Sequence, residues 1–316
     1  MKRIQLEGRS DLKSEIPLST PYTIFIDPSS VCNFKCKFCM NKYIKSPKFM
    51  GLKMFENIID TLQEFDKPVK VIRLYGFGEP MLNPSFHHMI NYAKKSDKVL
   101  AVDTTTNGSL LSENMNYLLI DSGIDRINIS IEGMNSSQYK KFTGRDIDFK
   151  RLCKNIEHLY KNKTDLTIFA KINGDYLTED EKNQFLDTFK PITDGCNIEY
   201  TMNCWYDLDV PDKNNELGVY GQKREKVDIC PYIFYSMMVH ADGIVSVCFL
   251  DWKQKMVIGD THFNSLREIW DSKTFNDFRI DMLNGKKNHI CANCDQLKAG
   301  MPVNLDPYRE ELLKRF

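Results

Sequence analysis

Between Pro21 and about Asn203, short runs of apolar, β-branched and aromatic residues alternate with longer stretches whose apolar positions recur at helical spacing. The runs YTIFID, KVIRLYG, VLAVDTTT, RINISIEG, DLTIFAKI and NIEYTMN read as strands. They are nearly continuous in apolar character, as strands covered on both faces are. MFENIIDTLQEF, FHHMINYAKK, ENMNYLLIDSG, FKRLCKNIEHLYK and TEDEKNQFLDTF carry the helical period, the last with Thr178 as N-cap and Asp180 just inside. Strand–helix units in series predict an α/β fold with a parallel sheet and helices packed outside it. Six strands are two short of a closed barrel, so the sheet is either a partial (β/α)6 barrel or an open doubly wound sheet; periodicity does not separate them. In both, ligands gather at the carboxyl ends of the strands.

The texture changes after Asn203, where DLDVPDKNNELGVYGQKREK is polar and rich in turn formers and reads as a linker. A smaller segment follows from about 225 to 316. In it Tyr235–His240 and Ile244–Leu250 flank ADG as a hairpin, followed by one helix, SLREIWDSKTFNDFRIDML, and by CANC. The 316 residues, 42% hydrophobic and 27% charged, suit one large domain or a main domain with a smaller companion. Lys+Arg and Asp+Glu both number 43, so no broad grip on nucleic acid or an anionic membrane is expected. MKRIQLEGRSDLKSE has no signal-peptide core, and no stretch approaches the roughly 20 apolar residues of a membrane span. The expected location is a reducing cytoplasm, where the ten cysteines serve as ligands or free thiols.

Cys32, Cys36 and Cys39 follow the first strand directly, in DPSSVCNFKCKFC. Such a C-x3-C-x2-C loop is one ligand short of a closed tetrahedral site. It can instead place three thiolates on three corners of an iron–sulfur cubane, leaving one iron for a non-protein ligand. A structural zinc loop and plain buried thiols are the alternatives. After the second strand comes GFGEP, where Gly76 and Gly78 permit close backbone approach and Glu79 can accept a bond from an ammonium group. TTTNG puts Thr106 and Asn107 at a turn on the same rim, ISIEG ends the fourth strand with Ser130 and Glu132, and FAKIN carries Lys171. Singly, each reads equally well as an ordinary turn or a solvent-facing residue. Their shared position at successive strand ends sets them apart.

The cysteine spacing resembles the fingerprint of the radical S-adenosylmethionine (radical SAM) superfamily. That resemblance implies a partial (β/α)6 barrel, a 4Fe–4S cluster on Cys32, Cys36 and Cys39, and S-adenosylmethionine chelating the open iron. It further implies one-electron cleavage to a 5′-deoxyadenosyl radical that takes hydrogen from the substrate. Phe38 matches the position near the adenine, and Gly76, Gly78 and Glu79 match the motif that holds the methionyl amino group, although Phe77 separates glycines that are more often adjacent. Ser130 and Glu132 match polar positions at the ribose or methionyl carboxylate, Lys171 could pair with that carboxylate, and Asn107 faces the same rim.

Cys230, Cys248, Cys291 and Cys294 form a second set, with Gly243 five residues ahead of Cys248. Spacing alone admits zinc or an iron–sulfur cluster. The order of C…GxxxxC, an IGD turn, SLREIWDS and CxxC resembles the SPASM/twitch extensions of radical SAM enzymes. No cysteine follows Cys294, which fits the single-cluster, twitch-like form. The resemblance implies an auxiliary 4Fe–4S cluster with no open iron, suited to electron transfer. Of the remaining thiols, Cys153 is expected in a helix core and Cys196 before the last strand. Cys204 falls at the end of the sixth strand, where a thiol could donate hydrogen to a substrate radical. His240, beside the hairpin turn, carries no signal.

The expected organisation is an N-terminal extension (1–20), a radical SAM core (21–215) and an auxiliary-cluster domain (216–316). The expected activity is that of an oxidoreductase, abstracting hydrogen from a small-molecule substrate such as a sugar or amino-cyclitol, with net dehydrogenation. A flavodoxin or ferredoxin would supply the electron, with no nucleic acid or membrane partner. Only about 20 residues precede the first strand, too few for the recognition domain that peptide-modifying relatives often carry. The rival readings are a peptide maturase of ribosomal-peptide or sulfatase type, an epimerase using Cys204, and a non-catalytic metal-binding scaffold.

Overall fold

The computed structural model describes residues 10–201, 205–208, 218, 223–298 and 303–316. Strands β1 (Thr23–Ile26), β2 (Val71–Leu74), β3 (Val102–Thr106), β4 (Arg126–Ile131), β5 (Thr167–Asn173) and β6 (Gly195–Glu199) lie parallel and in sequence order. A doubly wound sheet would reverse its strand order at a switch point. Here the order never reverses, and the six units form the partial (β/α)6 barrel.

The two-residue period of a strand divides its side chains between two faces. Ile72, Val102, Ile127, Ile129, Ile168 and Ala170, all 0% exposed, pack outward in one core with the helices. The helices meet them with stripes at helical spacing, such as Leu152, Ile156 and Leu159 of Phe149–Asn162. The inner face is different in kind. It carries Arg73, Thr105, Asn128, Ser130, Lys171 and Asn197, with Thr105 beside Asn128 and Lys171 between Ser130 and Asn197 in register.

Phe86–Lys95 spans its whole predicted run, and Thr178 caps Glu179–Phe189 in a reciprocal box with Glu181. Four expectations are corrected. The helix Ser136–Thr143 lies in a stretch not read as helical; its apolar residues are sparse, and caps at Asn135 and Gly144 define it. The run SLREIWDSKTFNDFRIDML breaks into Leu266–Trp270 and Lys273–Leu283, because Ser272 leaves the helix to cap the second piece at Phe275 N–H. Cys196 lies within β6, not before it. The IGD stretch belongs to a strand, β9 (Val257–Asp260), rather than a turn.

β7 (Ser236–Val239) and β8 (Ile244–Ser246) form the expected hairpin, turning at Gly243 with φ +85°. β7 also pairs in parallel with β1, from Thr23↔Ser236 to Ile26↔Val239. The hairpin and β9 therefore extend the barrel sheet to nine strands, in the order β6-β5-β4-β3-β2-β1-β7-β8-β9. Among the described residues no helix is long and apolar enough to cross a membrane.

Trp270 fastens the C-terminal helices to the start of the chain. Its ring is 1% exposed, its Nε1–H donates to the Leu18 carbonyl at 2.8 Å, and the Arg279 guanidinium lies 4.1 Å from the ring centroid. Trp270→Ala should cost about 3–5 kcal/mol in urea denaturation. A loss below about 1 kcal/mol would show that this anchor is dispensable.

Candidate functional site

Cys32, Cys36 and Cys39 lie half-buried in the irregular chain after β1, where little regular structure holds them. Neighbours supply the support. Lys35 and Lys37 N–H groups donate to the carbonyls of Thr143 and Phe142 at 2.9 and 3.0 Å, and the Phe34 ring meets Tyr139 edge-on at 6.2 Å. The helix missed in the sequence is thus a backrest for this loop, and its only sequence signal was its two caps. Asn41 Nδ2 donates to the carbonyls of Ser30 and Phe77 at 2.8 and 2.6 Å, joining the loop to GFGEP.

GFGEP packs against the same loop. A Cβ on Gly78 would stand 2.3 Å from the Ser29 carbonyl oxygen and 2.4 Å from that of Val31. The close approach that glycine permits is therefore to the cysteine-bearing chain. The Glu79 carboxylate turns inward and is 1% exposed. It accepts from Met81 N–H at 3.1 Å, Thr106 hydroxyl at 2.7 Å and Asn107 N–H at 2.8 Å. Asn107 Nδ2 donates to Asn33 Oδ1 at 2.8 Å, linking the β3 turn to the cysteine loop.

Phe38 and Tyr176 stack at 6.3 Å with 17° between their planes. With Ile131, Glu132, Phe142 and Asn173 they line a small pocket. Burial pushes the Glu132 carboxyl up to about 7, against the opposing pull of Lys171. Lys171, expected to stand ready for a ligand carboxylate, pairs with Glu199 at 3.1 Å on the neighbouring strand. Ser130 lies beside it on the inner face.

The three thiols suit iron. Phe34 N–H points at Cys32 Sγ at 3.5 Å and Asn41 N–H at Cys39 Sγ at 3.4 Å, the donors that stabilise cluster thiolates. Burial pushes Cys32 up to about 12 and raises Cys36 and Cys39, so a metal must displace a proton from each.

The second set converges as well. Cys230, Cys248, Cys291 and Cys294 line one cavity, with Tyr206, Val247 and Met256 in its wall. The four thiols surround one space, as the ligands of an iron–sulfur cluster do. Burial pushes Cys230 and Cys291 up to about 12, each raised further by Cys294. Cys153 and Cys196 pack against the core. Cys204 lies outside the described residues.

His240, passed over in the sequence, is 4% exposed at the end of β7 and stacks on Phe77 of GFGEP at 5.2 Å. It joins the two sites, and only the pairing of β7 with β1 brings it there.

A three-thiol loop at the rim of a partial barrel, with a separate four-thiol cavity, is the arrangement of an iron–sulfur protein. The chain belongs to the radical SAM superfamily: that family's sequence model matches residues 26–189, and the SPASM iron–sulfur cluster-binding domain matches 230–295. Its cofactors are a SAM-binding 4Fe–4S cluster, S-adenosylmethionine and an auxiliary cluster. The GTP 3′,8-cyclase of Staphylococcus saprophyticus is 27% identical over 156 residues, 46% of this chain and 45% of that protein. The chain thus spans about half the length of such curated relatives. BtrN in complex with AdoMet and 2-DOIA is similar in fold, with TM-score 0.58 and 18% identity, over 90% of this chain and 97% of BtrN. Native anSMEcpe with bound AdoMet and Cp18Cys peptide gives TM-score 0.63 at 16% identity, over 93% and 95%.

Two outcomes follow from the site. In Gly78→Ala the clash with Ser29 and Val31 displaces the cysteine loop, so iron assays should show selective loss of the N-terminal cluster; a full iron complement would refute this. Burial pulls His240 down to about 4 from an ordinary 6.5. Its depressed value means that stability is complete above pH 6.5 and falls as pH drops toward 4, by about 2 kcal/mol at pH 5. Urea titrations at pH 7 and 5 should show this loss in the wild type and not in His240→Gln; equal losses would count against it.

Proposed function

We propose that this protein is a radical SAM oxidoreductase that dehydrogenates a small polar molecule held against the inner face of the barrel. The observation that carries the reading is the joint presence of a three-cysteine loop braced at the rim and a four-cysteine cavity one strand pair away. Cys32, Cys36 and Cys39 hold the first cluster and leave one iron open. Bound there, S-adenosylmethionine supplies on one-electron reduction a 5′-deoxyadenosyl radical able to take hydrogen from carbon. Phe38 lies on the adenine side of that site, where an aromatic face can stack on a flat base. Ser130 and Glu132 would hold its ribose and methionyl groups. Glu79 acts on the amino end chiefly by fixing the loop, since three protein donors already occupy its carboxylate.

Cys230, Cys248, Cys291 and Cys294 hold the auxiliary cluster with no free site for substrate, which favours electron acceptance and so net dehydrogenation. The inner face supports a small polar substrate. Among the described residues Thr105 Oγ1, Asn128 Oδ1 and Asn197 Nδ2 are buried there without partners, and such atoms favour a ligand that hydrogen-bonds. Arg73 is already paired with Asp103 at 3.3 Å, and Lys171 with Glu199, which gives a polyanionic nucleotide little purchase. An external one-electron donor such as a flavodoxin or ferredoxin completes the cycle.

Anaerobic reconstitution should give about eight irons per chain, falling to about four when Cys32, Cys36 and Cys39 become Ala. The triple variant should form no 5′-deoxyadenosine under dithionite. Zinc in place of half the iron, or cleavage by the triple variant, would sink the reading.

A further inference from the structure

We propose that Asp251 is a buried anion that holds the reduction potential of the auxiliary cluster low, and that the Tyr206 and Ser246 hydroxyls moderate its effect. The inference rests on the assignment of Cys230, Cys248, Cys291 and Cys294 as the ligands of that cluster. Asp251 is 0% exposed, and its N–H donates to the Cys248 carbonyl at 3.1 Å. Oδ1 accepts from the Tyr206 hydroxyl at 2.7 Å and Lys255 N–H at 2.9 Å. Oδ2 accepts from the Ser246 hydroxyl at 2.9 Å and Met256 N–H at 2.7 Å. Two hydroxyls and two backbone amides make the surroundings of an ionised carboxylate, and all four are neutral donors.

The arrangement extends toward the N-terminal site. With its hydrogen directed at Asp251, Ser246 can only accept from His240 Nε2, 2.9 Å away. The donors therefore point one way, from His240 through Ser246 to Asp251. His240 in turn lies against Phe77.

Asp251 stands directly behind the cavity wall. Tyr206 and Met256, two of its donors, line the four-cysteine cavity, and Met256 Sδ is 3.8 Å from Cys291 Sγ. Water cannot screen a charge so enclosed, so it acts on the cluster through a low dielectric. A fixed negative charge disfavours adding an electron, which lowers the potential. Hydrogen bonds to the carboxylate offset part of its charge, so removing one strengthens the effect. The signs of the two kinds of substitution are therefore opposite, and a purely structural role for Asp251 predicts no such opposition.

Potentiometry of the anaerobically reconstituted full chain, followed by EPR, tests this on the cluster whose signal does not change when S-adenosylmethionine is added. Asp251→Asn should raise the midpoint potential of that cluster. Tyr206→Phe and Ser246→Ala should lower it, and Asp251→Glu should stay near the wild type. The proposal is overturned if the potential does not move in variants that retain their iron, or if Asp251→Asn and Tyr206→Phe shift it the same way. Should Asp251→Asn fail to assemble its cluster, the two hydroxyl variants decide by sign: a downward shift supports the proposal, and no shift or an upward one defeats it. Absence of any S-adenosylmethionine-insensitive cluster in the wild type would remove the ligand assignment itself, and this proposal with it.

Discussion

The cysteine loop after β1 has almost no regular structure, so its shape depends on what is packed around it. The Glu79 carboxylate is the central tie. By accepting from Met81, Thr106 and Asn107 it joins the end of β2 to the end of β3, and Asn107 passes the connection to Asn33 inside the loop. A buried carboxylate costs free energy unless its lone pairs are met, and here three donors meet them. Gly78 then lets the GFGEP backbone lie against Ser29–Val31 with no side chain between. Three thiols on an irregular segment become an organised site through these contacts.

β1 is the second organising element, because it pairs on both edges. β2 on one side brings GFGEP, and β7 on the other brings the hairpin that leads to Cys248. Two aromatic contacts reinforce the junction: Phe77 stacks on His240, and Phe25 stacks on Phe249 at 4.7 Å, one residue past Cys248. The segments that carry the two cysteine sets thus adjoin one sheet, and strand register ties them together. Outer-face packing gives that sheet its stiffness, while the inner face keeps polar groups that the fold does not use.

Much of this was legible in the chain. The first five strands, their helices, the hairpin and both cysteine sets lie where pattern and spacing put them, because burial on two faces and helical stripes leave strong periodic marks. Weak marks were lost. Ser136–Thr143 has few apolar residues and reveals itself only through Asn135 and Gly144. The break at Asp271–Ser272 was hidden because Ser272, as a cap, serves the helix that begins after it. His240 looked like any polar residue beside a turn.

The sequence by itself determined the class of fold, the superfamily and the cysteines available for clusters, since thiol spacing and side-chain period are local properties of the chain. Tertiary structure alone decided how those parts act on one another. It turned Glu79 inward, paired Lys171 with Glu199, set Asp251 behind the four-cysteine cavity and placed His240 between the sites. These depend on which strands lie side by side and which oxygens meet which donors after packing, and such contacts between residues far apart in the chain leave no periodic trace in it.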